Sequence, residues 1–187
     1  TETPIERVEL TKVDYGIRTK AWNDPTSKYM FRLALVELED MVTSHKAGGD
    51  ANPRYFEAMQ ERLRDRQGSQ LQIGEIAQNL DPDELLTDMH SLSRGPMIIG
   101  SDGLVESGNG RTTALAMALD LFPDKYQAYQ DGLKANIDMY GIDPKTLDEY
   151  DSPVLVRVRE TDVDRAKFAA EANDETGLGV SLVESAK

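Results

Sequence analysis

One stretch of the chain combines residue types that bind phosphate groups: Gly108, Asn109, Gly110, Arg111, Thr112 and Thr113. The two glycines allow the backbone to turn tightly and to approach a ligand. The amides at the start of the helix predicted to follow suit an anion, and Arg111 adds a charged donor. An ordinary strand-to-helix turn that needs glycine for a positive φ explains the same residues, and spacing alone does not separate the two interpretations. A Walker A loop is excluded because no lysine follows the second glycine.

A second group with the chemistry of a site lies at the end of a predicted helix, at Glu171, Asn173 and Asp174. Glu171 and Asp174 are three positions apart and therefore share one helix face. Their oxygen atoms are ligands that Mg²⁺ accepts beside a nucleotide. We expect these three residues to hold Mg²⁺ against a nucleoside triphosphate, although a solvated acidic helix end would look the same in so acidic a chain.

Positive charge is concentrated at one place in the sequence, at Arg62, Arg64 and Arg66. These arginines are candidates for further phosphate contacts. Pairing with neighbouring carboxylates on a solvated face accounts for them equally simply.

The charge balance of the chain limits its partners. Among 187 residues, 21 Lys and Arg against 34 Asp and Glu give a net charge of −13, which argues against general wrapping of duplex DNA. The absence of cysteine excludes disulfides, thiolate metal sites and sulfur nucleophiles. No apolar run is long enough to span a membrane, and the composition is that of a soluble globular protein.

Apolar spacing and turn residues predict the elements that position these groups. Alternation predicts a strand over 29–36, and a one-sided apolar stripe predicts a helix over 70–80 that ends at Asp81, the cap of the next turn. A hairpin with strands over 96–100 and 104–107 leads into Gly108 and a helix. Further elements are predicted over 124–140 (helix), 152–159 (half-buried strand) and 162–172 (helix).

In this order, these elements and motifs resemble the ParB/sulfiredoxin-like superfamily. The resemblance rests on the helix residues 76–80, the strand 96–99, the Gly-Asn-Gly-Arg loop, the strand 154–159 and Glu171 in the place of the last-box glutamate. Within this superfamily, the closer resemblance is to the DdrB-like ParB branch. It rests on Asn79-Leu80-Asp81-Pro82 and on the Glu-Ser-Gly-Asn-Gly-Arg stretch 106–111. The resemblance implies an α+β fold with a small mixed sheet flanked by helices. It covers about residues 30–187, so we divide the chain into an N-terminal extension over 1–27 and a domain over 28–187.

The chain also departs from the patterns it resembles. Asn109 stands where sulfiredoxin carries its catalytic cysteine, so sulfiredoxin chemistry is excluded. Glu175 stands where the last ParB box has arginine, and the asparagine of that box has moved to Asn173. Phosphate binding at Arg111 survives these changes, whereas a preference for CTP does not follow.

The resemblance implies a nucleotide- or nucleic-acid-phosphate-binding domain in a DNA-handling protein of a phage or another mobile element, acting in antirestriction or DNA transfer. NTPase or nuclease activity stays open. The implied partners are a nucleotide, other domains of a longer polypeptide and, through that polypeptide, DNA. The implied location is the cytoplasm of a bacterial cell or infected host. The alternative is a module that keeps the fold without a ligand and docks other domains or partners.

Overall fold

A computed structural model describes residues 9–43 and 73–173 of the chain. Its centre is a five-stranded mixed sheet in the order β1-β2-β5-β3-β4. The strands are Asp14–Ala21 (β1), Tyr29–Glu37 (β2), Met97–Ile99 (β3), Val105–Ser107 (β4) and Pro153–Arg159 (β5). β3 and β5 run parallel, while the other neighbouring pairs are antiparallel. The sheet therefore brings the hairpin β3-β4 beside the carboxyl-terminal strand β5.

Helices surround this sheet. They are a helix described over 73–78 (α1), Pro82–Leu86 (α2), Asn109–Leu121 (α3), Pro123–Asn136 (α4) and Arg165–Ala172 (α5), with 3-10 turns at Leu38–Asp40 and Pro144–Glu149. Asp81 caps α2 and Asp164 caps α5, each accepting a backbone N–H in the first turn. Among the described residues, no helix has the length and apolar character needed to cross a membrane.

The core lies on both sides of the sheet. Met97 and Ile99 join the main cluster, which includes residues of α1–α4. Ile98 points to the opposite face because side chains alternate along a strand. There it packs with Phe31 and Phe168 in a second cluster that includes residues of α5. Both faces of the sheet are therefore covered at β3 and β5.

The expected α+β fold with a small mixed sheet is confirmed. The strand predicted over 152–159 is not half-buried as expected, because β5 is central and six of its seven residues are buried. β1 was not predicted, and α4 ends at Asn136 rather than at Tyr140. The division at residues 27 and 28 stays a prediction, although β1 belongs to the predicted extension and pairs with β2 in the sheet of the domain.

Arg157 is the largest fully buried side chain in the described residues. Its guanidinium donates to four backbone carbonyls, those of Pro96 (2.8 Å), Met89 (3.1 Å), Ser91 (2.7 Å) and Arg94 (2.6 Å). These acceptors belong to the segment 89–96, which we call the 89–96 loop. A buried cation is stable only when its donors are satisfied, so Arg157 ties this loop to the central strand.

We predict that Arg157→Met lowers the free energy of unfolding by roughly 3–5 kcal/mol, because methionine fills the volume but leaves four inward-facing carbonyls without their donor. Urea denaturation measures this loss. Arg18→Met is the matched control, since the Arg18 side chain is 63% exposed and pairs with Glu160 at the surface. The control should cost less than about 1 kcal/mol. Equal losses in the two variants would show that Arg157 does not hold the loop.

Candidate functional site

The connection from β4 to α3 turns at Gly108. Its φ of 101° and ψ of 28° lie in the left-handed region that favours glycine. A Cβ at this position would lie 2.6 Å from Met97 Cγ and 2.8 Å from Arg111 Nη2. The fold alone therefore requires Gly108, and this glycine gives no information about a ligand.

Gly110 differs from Gly108 both in its backbone conformation and in the space available for a side chain. It lies in the first turn of α3, its φ is not positive, and a Cβ built on it meets nothing within 4 Å. Glycine in a helix costs about 0.5–1 kcal/mol relative to alanine. No packing or backbone constraint in the described residues accounts for this cost. The open space beside Gly110 is where a ligand could approach the start of the helix closely.

Two arginines lie next to each other near the start of α3. Arg111 Nη1 donates to the carbonyl of Ser93 in the 89–96 loop, the same loop that Arg157 holds. Burial, and then the charge of Arg111, lower the pKa of Arg157 to about 9, while Asp88 opposes this shift. The hydrogen bonds described for Arg157 go to neutral carbonyls, which leave its charge in place. Among the described residues, two guanidinium groups and the positive end of α3 therefore form a positive region in an acidic chain.

The two threonines of the predicted phosphate-binding stretch turn away from this positive region. Thr112 is buried, and its hydroxyl donates to the carbonyl of Gly108 at 2.8 Å. Thr112 and Thr113 both line a half-open cleft of about 370 Å³ along α3, which we call the acidic cleft. Its carboxylates belong to Glu37, Glu39, Asp120 and Asp151. Carboxylates beside a phosphate repel it, so the residues best placed for an anion are 108–111.

The residues predicted to hold a metal lie on α5 and just after it. Glu171 Oε1 accepts a hydrogen bond from the hydroxyl of Tyr29 at 2.7 Å. This bond, then burial and the charge of Glu171, raise the pKa of Tyr29 to about 12. Asn173 Nδ2 instead donates to the carbonyls of Glu106 (2.7 Å) and Ala169 (2.6 Å), which places Asn173 beside the strand leading into Gly108.

The remaining predicted site residues are outside the described residues. They are Asp174 of the metal set and the candidate phosphate contacts Arg62, Arg64 and Arg66. Within 9–43 and 73–173, no three His, Asp or Glu residues lie close enough together to hold a metal ion. The metal site over Glu171, Asn173 and Asp174 thus stays a prediction.

Glu106, two residues before Gly108, anchors β4 through a buried ion-pair network. Its carboxylate, in a residue with 0% exposure, accepts from Arg159 at 2.8 and 2.9 Å and from Arg165 at 2.8 Å. Arg165 also donates to Asp102 in the turn between β3 and β4, at 2.9 Å through Nη1. Burial alone would raise the pKa of Asp102, but the hydrogen bonds and charge of Arg165 hold it below its ordinary value. The network fixes the hairpin, and with it the position of Gly108, against β5 and α5.

Sequence reasoning missed Arg157 and this network. A signal was present, because Arg157 and Arg159 occur within a strand whose other residues, 153–156 and Val158, are all apolar. An arginine inside an otherwise apolar strand indicates a buried, hydrogen-bonded cation when the strand is central.

A comparison with models of protein families identifies the family of this chain. A model described as the ddrB-like ParB superfamily domain matches residues 24–160, well over half of the chain. The chain belongs to the ddrB-like ParB superfamily. The resemblance to the DdrB-like ParB branch is thereby confirmed. No curated protein matches the chain, and no solved structure matches it.

The ddrB-like ParB match covers β2 to β5 and therefore contains the 89–96 loop, the 108–113 stretch and Arg157. It begins after β1 and ends before α5. The positive region at the start of α3 is thus built entirely from family-matched residues, while Glu171 and Asn173 lie beyond them.

The two glycines of the loop should respond in opposite ways to alanine. Gly108→Ala should lower the free energy of unfolding by roughly 1–3 kcal/mol, because alanine must adopt the left-handed conformation and its Cβ meets Met97. Gly110→Ala should raise it by about 0.5 kcal/mol, because the space is open and alanine favours helix. Thermal or urea unfolding of both variants measures the difference. Loss of stability in Gly110→Ala would reveal a structural role for this glycine.

Proposed function

We propose that the start of helix α3 binds a phosphate group of a nucleotide or nucleic acid. The observation that carries this proposal is the placement of Arg111 and Arg157 near each other at the amino end of α3, where both bond the 89–96 loop. A phosphate at this place would accept a charge-assisted hydrogen bond from Arg111 and would lie in the favourable field of Arg157. The helix end adds backbone amides and a favourable dipole.

Gly110 gives separate support to this proposal. The open space beside it allows a phosphate oxygen to approach the first turn of α3 as closely as the backbone permits. Any side chain there would hold the ligand away. A glycine that the packing of the described residues does not require, in the turn that would contact the anion, fits a binding role better than an ordinary connection.

We extend the proposal to the biological setting that the family resemblance implies. The domain would serve a DNA-handling protein of a phage or conjugative element, in antirestriction or DNA transfer, within a bacterial cell or infected host. DNA would be engaged through other parts of a longer polypeptide, since the net charge of −13 opposes binding of random duplex by this part. NTPase or nuclease activity is left open.

Arg111→Ala should weaken binding of nucleoside triphosphates and inorganic phosphate by about 1.5–3 kcal/mol, the range for a hydrogen bond to a charged group. Isothermal titration calorimetry with a panel of nucleotides and with inorganic phosphate measures this loss of binding free energy. Arg94→Ala is the matched control, because Arg94 is exposed and belongs to the same loop. Affinity should be unchanged in the control.

Arg111 also holds Ser93, so its loss could act through the loop. Gly110→Ala removes this ambiguity, because the variant keeps every side-chain contact described and should still bind more weakly when its Cβ meets the ligand. Unchanged affinity in both Arg111→Ala and Gly110→Ala would refute phosphate binding at this site.

The proposal includes Mg²⁺ for a triphosphate ligand. A triphosphate brings roughly three to four negative charges, which two arginines and a helix end do not neutralise in so acidic a protein. We expect EDTA to weaken triphosphate binding by about tenfold or more, and Glu171→Gln to have the same effect. Tyr29→Phe is the control, since it removes the hydrogen bond to Glu171 and keeps the carboxylate charge. If the triphosphate binds equally well with and without metal, Glu171 is an ordinary helix-end carboxylate.

A second function is favoured by a different observation. The acidic cleft lies along the flank of α3, and its carboxylates do not suit a nucleotide. It favours the alternative in which the domain docks a partner. Docking and phosphate binding use different surfaces of the same helix and do not exclude each other.

A further inference from the structure

The acidic cleft is formed by three parts of the chain that are distant in sequence. The end of β2 and the turn after it supply Glu37 and Glu39, α3 supplies Asp120, and the residue pair before β5 supplies Asp151. Within the described chain, no lysine or arginine lines the cleft. Lys12 forms a salt bridge of 2.8 Å with Glu37 and also attracts Asp151, so one described cation faces the four carboxylates of the cleft. The other three carboxylates are exposed, so the cleft presents an excess of negative charge to an occupant.

The charge in this cleft is spread out rather than focused. The carboxylates form no described cluster that could hold a metal ion. Between them lie apolar side chains, namely Leu38, Met41, Ala116 and Leu119. Separated carboxylates with apolar surface between them suit the long aliphatic stem and charged head of arginine or lysine. The cleft therefore matches an extended chain with several cations better than a single ion.

Thr113 gives independent evidence for a polar ligand. Its side chain lines the cleft, the residue is 8% exposed, and its hydroxyl makes no hydrogen bond within the described residues. This hydroxyl is open to the cleft, so a ligand there can reach it. In a helix its nearest acceptor is the carbonyl one turn earlier, an interaction that is described for Thr112 and not for Thr113. The cleft thus offers a donor and acceptor that the protein itself leaves unused.

We propose that the acidic cleft docks a basic peptide segment of a protein partner, with arginine or lysine side chains on the carboxylates and an apolar residue over Leu38 and Leu119. Charge complementarity identifies the occupant, because four carboxylates border an apolar floor and Lys12 is the one cation described beside them. The Thr113 hydroxyl bonds the peptide. This docking surface runs along the flank of α3 and is separate from the phosphate site at its amino end.

The test titrates the whole chain with a capped tripeptide of arginine, leucine and arginine, followed by NMR chemical shifts and calorimetry. A capped tripeptide of glutamine, leucine and glutamine is the uncharged control. The cleft variant carries Glu39→Gln, Asp120→Asn and Asp151→Asn, none of which removes a described side-chain hydrogen bond. A matched variant carries Glu75→Gln, Asp138→Asn and Asp148→Asn, which removes the same charge from exposed positions outside the cleft.

We expect the basic peptide to shift cleft resonances and to lose affinity by about tenfold in the cleft variant, but by less than about twofold in the matched variant. Thr113→Val should keep the stability of the chain and lower its affinity for the basic peptide by about threefold. Equal losses in the two charge variants would assign the binding to general attraction and overturn the proposal. Unchanged affinity in Thr113→Val, or no binding at all, would also overturn the proposal. Self-association that the cleft variant abolishes would overturn it too, and would assign the cleft to a second copy of this chain.

Discussion

The buried guanidinium of Arg157 is the constraint on which the rest of the structure depends. A cation in the centre of a sheet is tolerated only when its nitrogens have acceptors, and here each of the three nitrogens donates to at least one of four carbonyls of one loop. That loop must therefore pass over β5 with its carbonyls turned inward. Ser107 and Arg111 then bond to the same loop through the carbonyls of Leu92 and Ser93. The start of α3 is positioned by the loop that Arg157 holds.

This arrangement gives helix α3 two electrostatic environments. Its amino end lies beside two guanidinium groups, and its flank from Thr112 to Asp120 borders a cleft of carboxylates. The net charge of the chain describes neither region, because interactions over a few ångströms outweigh an average over the whole surface. An anion and a cationic peptide can thus be recognised by adjacent turns of one helix.

Local signals in the sequence were sufficient for β2, the β3-β4 hairpin, the Asp81 cap and the start of α3, since alternation and turn residues act over a few positions. They predicted the strand β5 but not its burial, because alternation is the same whether the second face meets solvent or protein. Only the packing of α5 and the 89–96 loop decides that Arg157 is buried. β1 was missed because this edge strand has exposed residues on much of its length and contains Gly16.

The Glu-Ser-Gly-Asn-Gly-Arg stretch is the most specific feature of the sequence, yet much of it is explained by architecture. Glu106 holds two arginines, Ser107 bonds the 89–96 loop, Gly108 adopts a left-handed conformation, and Arg111 also bonds that loop. A match to this motif is consequently evidence for the fold before it is evidence for a ligand. Gly110 is different, since its φ is not positive and no described residue would meet a Cβ there, so neither feature requires a glycine. The case for a ligand at this loop is strongest at Gly110, the residue that the fold itself explains least.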